Sequence, residues 1–285
     1  MANVRDIQDR IKGVQNIQQI TRAMKMVASA RIKKVDRLLR SRRPYTERLA
    51  EVLQEALSQA GDFSYPLMEI RTPAKKSAIL LVTGDKGLCG AYNLNVMRKA
   101  ERLLRAFSRD REAFFYIVGT KGYRYFSRRF CVIRKHYLAW EPEVKFADEL
   151  AVFFAQEYRK GAFDELYCVY TKAVSMLTQH LVQEKLFPFE ISAGGGPKGG
   201  ALFEPEPAKA LQLLIPMYIK ENIMRILLDA RTSELAARIN AMSNATDNAE
   251  KLVEELRLNY FRARQESITT EILEVATGAA LMGKE

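Results

Sequence analysis

Between Pro216 and Gly278 the chain carries neither proline nor glycine. Nothing there interrupts a helix, so 216–282 is predicted as one helix about 100 Å long at 1.5 Å per residue. The usual helix has roughly 11–12 residues, so this one must pack along a partner or protrude into another protein. Cysteine is scarce: Cys89, Cys131 and Cys168 are odd in number and widely spaced, which excludes a disulfide framework and any CxxC metal site. The two histidines, His136 and His180, have no acid and nucleophile near them in sequence, so no catalytic constellation is legible. No run of eighteen apolar residues occurs, which excludes a membrane-spanning helix on this criterion. The start Met1-Ala2-Asn3-Val4-Arg5-Asp6 passes almost directly into helical pattern, so neither a signal peptide nor a transit peptide is expected. A cytoplasmic, bacterial protein is the expectation.

What the sequence does contain is a core and an uneven charge. The 285 residues are 48% hydrophobic, enough for one large domain or two modest ones. The formal net charge of +11 is concentrated near the start, where residues 1–57 hold 13 Lys/Arg against 6 Asp/Glu. From Arg22 to Arg43 there are nine cations (Arg22, Lys25, Arg31, Lys33, Lys34, Arg37, Arg40, Arg42, Arg43) and one anion, Asp36. A merely solvated helix face mixes signs, so this arm favours an electronegative partner. It lacks interleaved aromatics and any groove-reading motif, so a nucleic-acid partner is not expected.

Residues 4–57 also read as helix. Val4, Ile7, Ile11, Val14, Ile17, Met24, Val27, Val35 and Leu38 recur at the three-and-four spacing of a coiled-coil seam. A bend is expected near Arg43 and Pro44, and Gly61 is expected to end the helix. The partner seam on the last helix is Ile219, Ile223, Ile226, Leu235, Ile239, Met242, Ala249, Leu252, Leu256 and Ile272. Small residues at Ala236, Ala237, Ala241, Ser243, Ala245 and Ala249 permit close helix approach. The N-terminal helix is the shorter of the two, so the far end of the C-terminal one is expected to run alone.

The middle reads as alternating strands and helices. Strands are predicted at 77–83, 113–119, 131–135, 165–171 and 181–187, with the last two as an antiparallel edge. Helices are predicted from near Asn95 to Phe107, and over 121–129 and 147–159. The fold class is α/β, a Rossmann-like middle domain between two long helices that form an antiparallel coiled coil. The domains are predicted as 1–60, 61–207 with a Gly/Pro-rich mobile linker from Gly194 to Pro207, and 208–285, the last long helix starting at Pro216. Gly84-Asp85-Lys86-Gly87-Leu88-Cys89-Gly90 after the first strand has the look of a phosphate loop. It matches neither GxxxxGK[ST] nor GxGxxG, so a tight strand-to-helix turn or a protein-contact loop is favoured over nucleotide binding.

Four segments carry a resemblance. Ile20-Thr21-Arg22-Ala23-Met24-Lys25-Met26-Val27-Ala28, Gly87-Leu88-Cys89-Gly90-Ala91-Tyr92-Asn93, Ala241 to Ala249 (AMSNATDNA) and Ala263 to Ile272 (ARQESITTEI) followed by Gly278-Ala279-Ala280 resemble the signature segments of the gamma subunit of F-type ATP synthases. Lys86, Ala91 and Phe261 depart from residues common in that family. The resemblance implies a non-catalytic central rotor shaft that enters a hexamer of alpha and beta subunits at one copy per complex. It implies an epsilon subunit and a membrane ring of c subunits as further partners, with no cofactor and no metal. It implies a location peripheral to the cytoplasmic face of the cell membrane. Rotor contacts with the catalytic ring are then expected at Arg22, Met24, Lys25, Arg31, Lys33, Lys34, Met242, Arg264 and Gln265. A bearing tip is expected at Val275, Ala279, Leu281 and Met282, and epsilon or ring contacts at Lys86, Gly87, Cys89 and Tyr92. Photosynthetic relatives carry a regulatory cysteine pair; no close pair occurs here, so thiol switching is not expected.

Overall fold

The computed structural model describes residues 4–61, 63–129, 131–174, 178–189, 203, 204 and 206–282. Ten elements follow in order: α1 (Val4–Gln59), β1 (Lys76–Val82), α2 (Tyr92–Phe107), β2 (Glu112–Val118), α3 (Thr120–Phe126), β3 (Ile133–Tyr137), α4 (Val144–Arg159), β4 (Glu165–Ala173), β5 (Gln179–Phe187) and α5 (Pro207–Met282). They form two compact units, Met1–Val27 with Ile239–Glu285, and Ala28–Arg238.

The second unit is built on a five-stranded sheet of order β3-β2-β1-β4-β5. β1, β2, β3 and β4 are parallel neighbours, and β5 runs antiparallel to β4 as the expected edge hairpin. The apolar run of β1 is buried on both faces, the usual state of a central parallel strand. Ala78, Leu80 and Val82 join the core shared with α1, α4 and α5, whereas Ile79 and Leu81 join the core under α2 and α3. The larger core is rich in rings: Tyr116 meets Phe153 and Phe154 edge-on at 5.5 and 5.2 Å, the geometry that aromatic quadrupoles favour.

One boundary differs from expectation. α5 begins at Pro207, not Pro216, and Pro216 lies inside it. Leu211, Ile215, Ile219 and Ile223 are buried on either side of that proline at one-turn spacing. Their shared burial outweighs the roughly 3 kcal/mol cost of an interior proline. α1 likewise continues through Pro44 as one helical element, held beyond it by Leu49, Leu53 and Ala56 in the core. It ends where expected, at Gly61, whose φ of 59° lies in the left-handed region open to glycine. The predicted linker from Gly194 to Gly200 lies outside the described residues.

In the first unit, α1 and α5 pair side by side. The Thr21 and Thr246 hydroxyls share a buried hydrogen bond of 2.9 Å, and Lys25 Nζ donates to Ser243 Oγ at 3.0 Å. Advancing along α1 retreats along α5, so the pair is antiparallel. Counting outward equally from Thr21 and Thr246 puts Val4 level with Ala263. Beyond that level α1 has no described residues, and every described side chain from Arg264 onward is exposed.

Candidate functional site

The surfaces expected to meet partners fall in both units. In the first, Arg22 is exposed, Met24 is half-buried and Lys25 is turned toward α5 by Ser243. Met242, only 4% exposed, is a packing residue of the helix pair and not a surface contact. Several positions assigned to the seams point outward instead: Ile17, Val27, Leu38, Leu252 and Ile272 are exposed. The buried α1 positions near this stretch are Thr21 and Ala28, with Ile32 next in line. Periodicity scored on large apolar residues passes over a seam made of threonine and alanine. The outward side of α1 therefore carries Ile17, Ile20, Met26 and Val27 beside Arg22, an apolar and cationic surface that the seam assignment had hidden. On α5, Arg264, Gln265, Ile268, Ile272, Leu273, Val275 and Ala279 are exposed. Leu281 and Met282 have helical backbone, and their side chains lie outside the described residues.

In the second unit, the cationic arm divides into paired and unpaired members. Arg42 reaches both carboxylate oxygens of Glu221, at 2.8 and 2.9 Å, where Glu221 is buried. Arg40 and Arg43 pair along the helix with Asp36 and Glu47. Arg31, Lys33, Lys34 and Arg37 remain exposed without an ion pair among the described residues. These are the charges free to act on something outside the chain.

The loop after β1 is held rather than open. Asp85 Oδ1 accepts from Thr120 N, Thr120 Oγ1 and Ala139 N at 2.9, 2.7 and 3.0 Å, and Oδ2 accepts from Trp140 N at 3.1 Å. The Asp85 carboxylate thus ties the loop to the segments after β2 and β3. At the carboxyl ends of the parallel strands, where such sheets usually bind ligands, α5 fills the space. Glu234 is 1% exposed there and accepts from Arg231 at 2.9 Å and Arg238 at 2.6 Å. A Cβ on Gly84 would stand 2.8 Å from Glu234 Cδ, so glycine is what lets β1's loop approach this carboxylate. The buried Glu234 carboxylate disfavours an anionic phosphate in this crevice, which leaves a tight turn or a protein-contact loop as the readings of the segment.

Of the expected contacts in that loop, Lys86 is exposed and Gly87 is half-exposed. Leu88 is exposed at a positive φ of 61°. Cys89 and Tyr92 are corrected by their burial, at 2% and 4% exposure. Tyr92 Oη donates to Ala230 O at 2.9 Å, and Asn93 Nδ2 donates to Cys89 Sγ at 3.2 Å. Burial pushes the Cys89 thiol up and the Tyr92 hydroxyl well up from their ordinary values. His136 stacks on Tyr123 at 4.1 Å, and His180 is exposed on the edge strand. Among the described residues no group of three or more His, Cys, Asp or Glu is placed to hold a metal.

A family model described as ATP synthase matches residues 3–282. The ATP synthase gamma chain of Pelotomaculum thermopropionicum is 39% identical over 286 residues, covering 99% of this chain and all of that one. The gamma chain of Desulforamulus reducens is 38% identical over the same span. This chain belongs to the ATP synthase gamma family. The fold agrees: a chain in the mitochondrial ATP synthase of Euglena gracilis aligns with a TM-score of 0.73 at 20% identity, covering 99% of this chain and 96% of that one. As a gamma chain it is a subunit of the synthase and not itself the catalyst. No described helix is long and apolar enough to cross a membrane.

Proposed function

We propose that this gamma-family chain is the central rotor shaft of an F-type ATP synthase, coupling ion-driven rotation of a membrane ring to ATP synthesis or hydrolysis on the beta subunits. The observation that carries the reading is the last part of α5, exposed from Arg264 onward and rich in large apolar side chains. An isolated helix studded with Ile268, Ile272, Leu273 and Val275 has no reason to stay in water. A sheath formed by the alpha and beta subunits would cover it, with Val275, Ala279, Leu281 and Met282 as the tip in its bearing. Arg22, Arg31, Lys33 and Lys34 would face acidic loops of the beta subunits, and Arg264 and Gln265 the same ring higher up. Lys86, Gly87 and Leu88 would meet the epsilon subunit or the c ring, with Cys89 and Tyr92 setting the loop's shape from within. One copy would serve each complex, peripheral to the cytoplasmic face of a bacterial cell membrane.

Co-expression with the alpha and beta subunits tests the reading. One copy of this chain per hexamer is expected, and its absence from purified hexamer would overturn the assignment. Replacing Arg31, Lys33 and Lys34 together with glutamate is expected to lower torque in single-molecule rotation. Unchanged torque would remove the electrostatic role.

A further inference from the structure

Residues 230–238 of α5 make a set of directional bonds to the sheet body. They reach three separate strand-end segments. Toward the loop after β1, Ala230 O accepts from Tyr92 Oη, and Arg238 Nη2 donates to Gly87 O at 3.2 Å. Toward the segment after β3, Arg231 pairs with Glu141, and its guanidinium lies 5.5 Å from the Trp140 ring centroid. Trp140 is tied in turn to Thr83 O at 2.9 Å. Toward the β4–β5 hairpin, Ser233 Oγ donates to Thr171 O at 2.8 Å, and Gln179 Nε2 donates to Ser233 O at 3.1 Å. Glu234 stands at the centre, fully enclosed, and holds Arg231 with one oxygen and Arg238 with the other.

α5 is bound to the sheet body both by apolar burial and by charged bonds. From Leu211 to Ala230 the helix is held in the larger hydrophobic core. Apolar burial is non-directional, so it resists withdrawal of a helix better than it resists rotation about its axis. Charge-assisted hydrogen bonds have fixed angles and lengths and resist both. Further up α5, Lys220, Glu221 and Arg225 make charged attachments to Asp148, Arg42 and Glu184, and the last turns of this unit, which ends at Arg238, reach three segments of the sheet at once.

We propose that Glu234 is the keystone of a collar that locks the rotational angle of α5, within Ala28–Arg238, against the sheet, and so the positioning residue through which torque on this part of the helix passes to the sheet. The inference rests on the rotor reading. Without Glu234, Arg231 keeps Glu141 and Arg238 keeps Gly87 O, but the two guanidiniums lose their common anchor and repel each other across the helix.

The test uses the chain assembled with alpha and beta subunits on a surface, with a bead on the thiol introduced by Arg102→Cys in a Cys131→Ala background. Arg102 is exposed on α2, well removed in sequence from the collar. The quantity read is the angular variance of the bead during catalytic dwells. Glu234→Ala removes both charge-assisted bonds and is expected to widen that variance measurably above the parent value. Glu234→Gln, which keeps the shape and loses the charge, is expected to widen it less, and bulk ATP hydrolysis should stay at the parent rate in both. A purely stabilising role would instead lower the melting temperature of the free chain and leave the variance at the parent value, which would overturn the collar. Should Glu234→Ala fail to fold, Glu234→Gln and Tyr92→Phe carry the same expectation, and parent-like variance in either overturns it. Failure of the parent chain itself to join the hexamer would sink the rotor reading instead, so the two failures are told apart.

Discussion

The Glu184 carboxylate shows how a single residue converts burial into pH dependence. Burial alone would raise its pKa, but Arg225 at 2.7 and 2.8 Å, Tyr170 at 2.9 Å and Asn222 outweigh that and hold it below the usual carboxylate range. Its folded pKa is therefore below the unfolded value of about 4.3. The stabilisation is full above that value and is lost as pH falls through the lower folded one. Glu184→Gln should cost about 1–3 kcal/mol at neutral pH, read from urea unfolding, with the gap from the parent closing below about pH 4. Asp229 has the opposite sign, since burial raises its pKa against the pull of Arg225. Its favourable contribution is complete below the ordinary value and is lost as pH rises through the raised one. Asp229→Asn should accordingly gain on the parent as pH rises through that value. The Glu184–Arg225 partnership was not legible in the sequence, since the two stand on different elements, whereas Arg225 and Asp229 have the i,i+4 spacing of a helical pair. Nor was the placement of Cys89 legible, since its motif suggested a contact while its side chain is enclosed. A thiol reagent on the folded protein should modify half-exposed Cys131 well before Cys89, as followed by mass spectrometry.

At the scale of elements, local pattern located almost everything and boundaries were set by packing. The five strands and the helices between them lie within a few residues of their predicted places because alternating turn signals and apolar runs are local properties. Pro216 misled for the same reason: a local rule about proline cannot weigh the burial of Leu211 and Ile215 a turn away. The seam of α1 misled because a threonine and an alanine serve as core where two helices approach closely. The Thr21–Thr246 pair offers a measurable case. One hydroxyl donates to the other, and the acceptor's own proton goes to a carbonyl of its helix, Gln18 or Met242. Either single change to valine removes the shared bond while the remaining hydroxyl keeps its own helix's carbonyl, and should cost about 1 kcal/mol. The double change should cost less than the two singles together, a coupling that a double-mutant cycle reads directly.

For the whole molecule, the unequal lengths of the two end helices have a consequence for stability. Residues after Arg264 bury none of their described side chains within the chain, so a chain ending at Arg264 should melt within about 2 °C of the parent. A drop of several degrees would show that the tail packs on its own chain. The same truncation is expected to weaken retention in the hexamer, since the tail's apolar side chains are the surface offered to the sheath. By itself, the sequence determined the strand and helix order and the excess length of the last helix. Both follow from composition and from periodicities of two and of three to four, which any stretch carries locally. Tertiary structure alone decided that Cys89 and Tyr92 face inward, that the buried Glu234 carboxylate stands in the crevice at the strand ends, and which of the cations remain free. Those outcomes depend on groups distant in the chain meeting in low-dielectric space, where pairing or its lack costs the most, and no spacing along the sequence records such meetings.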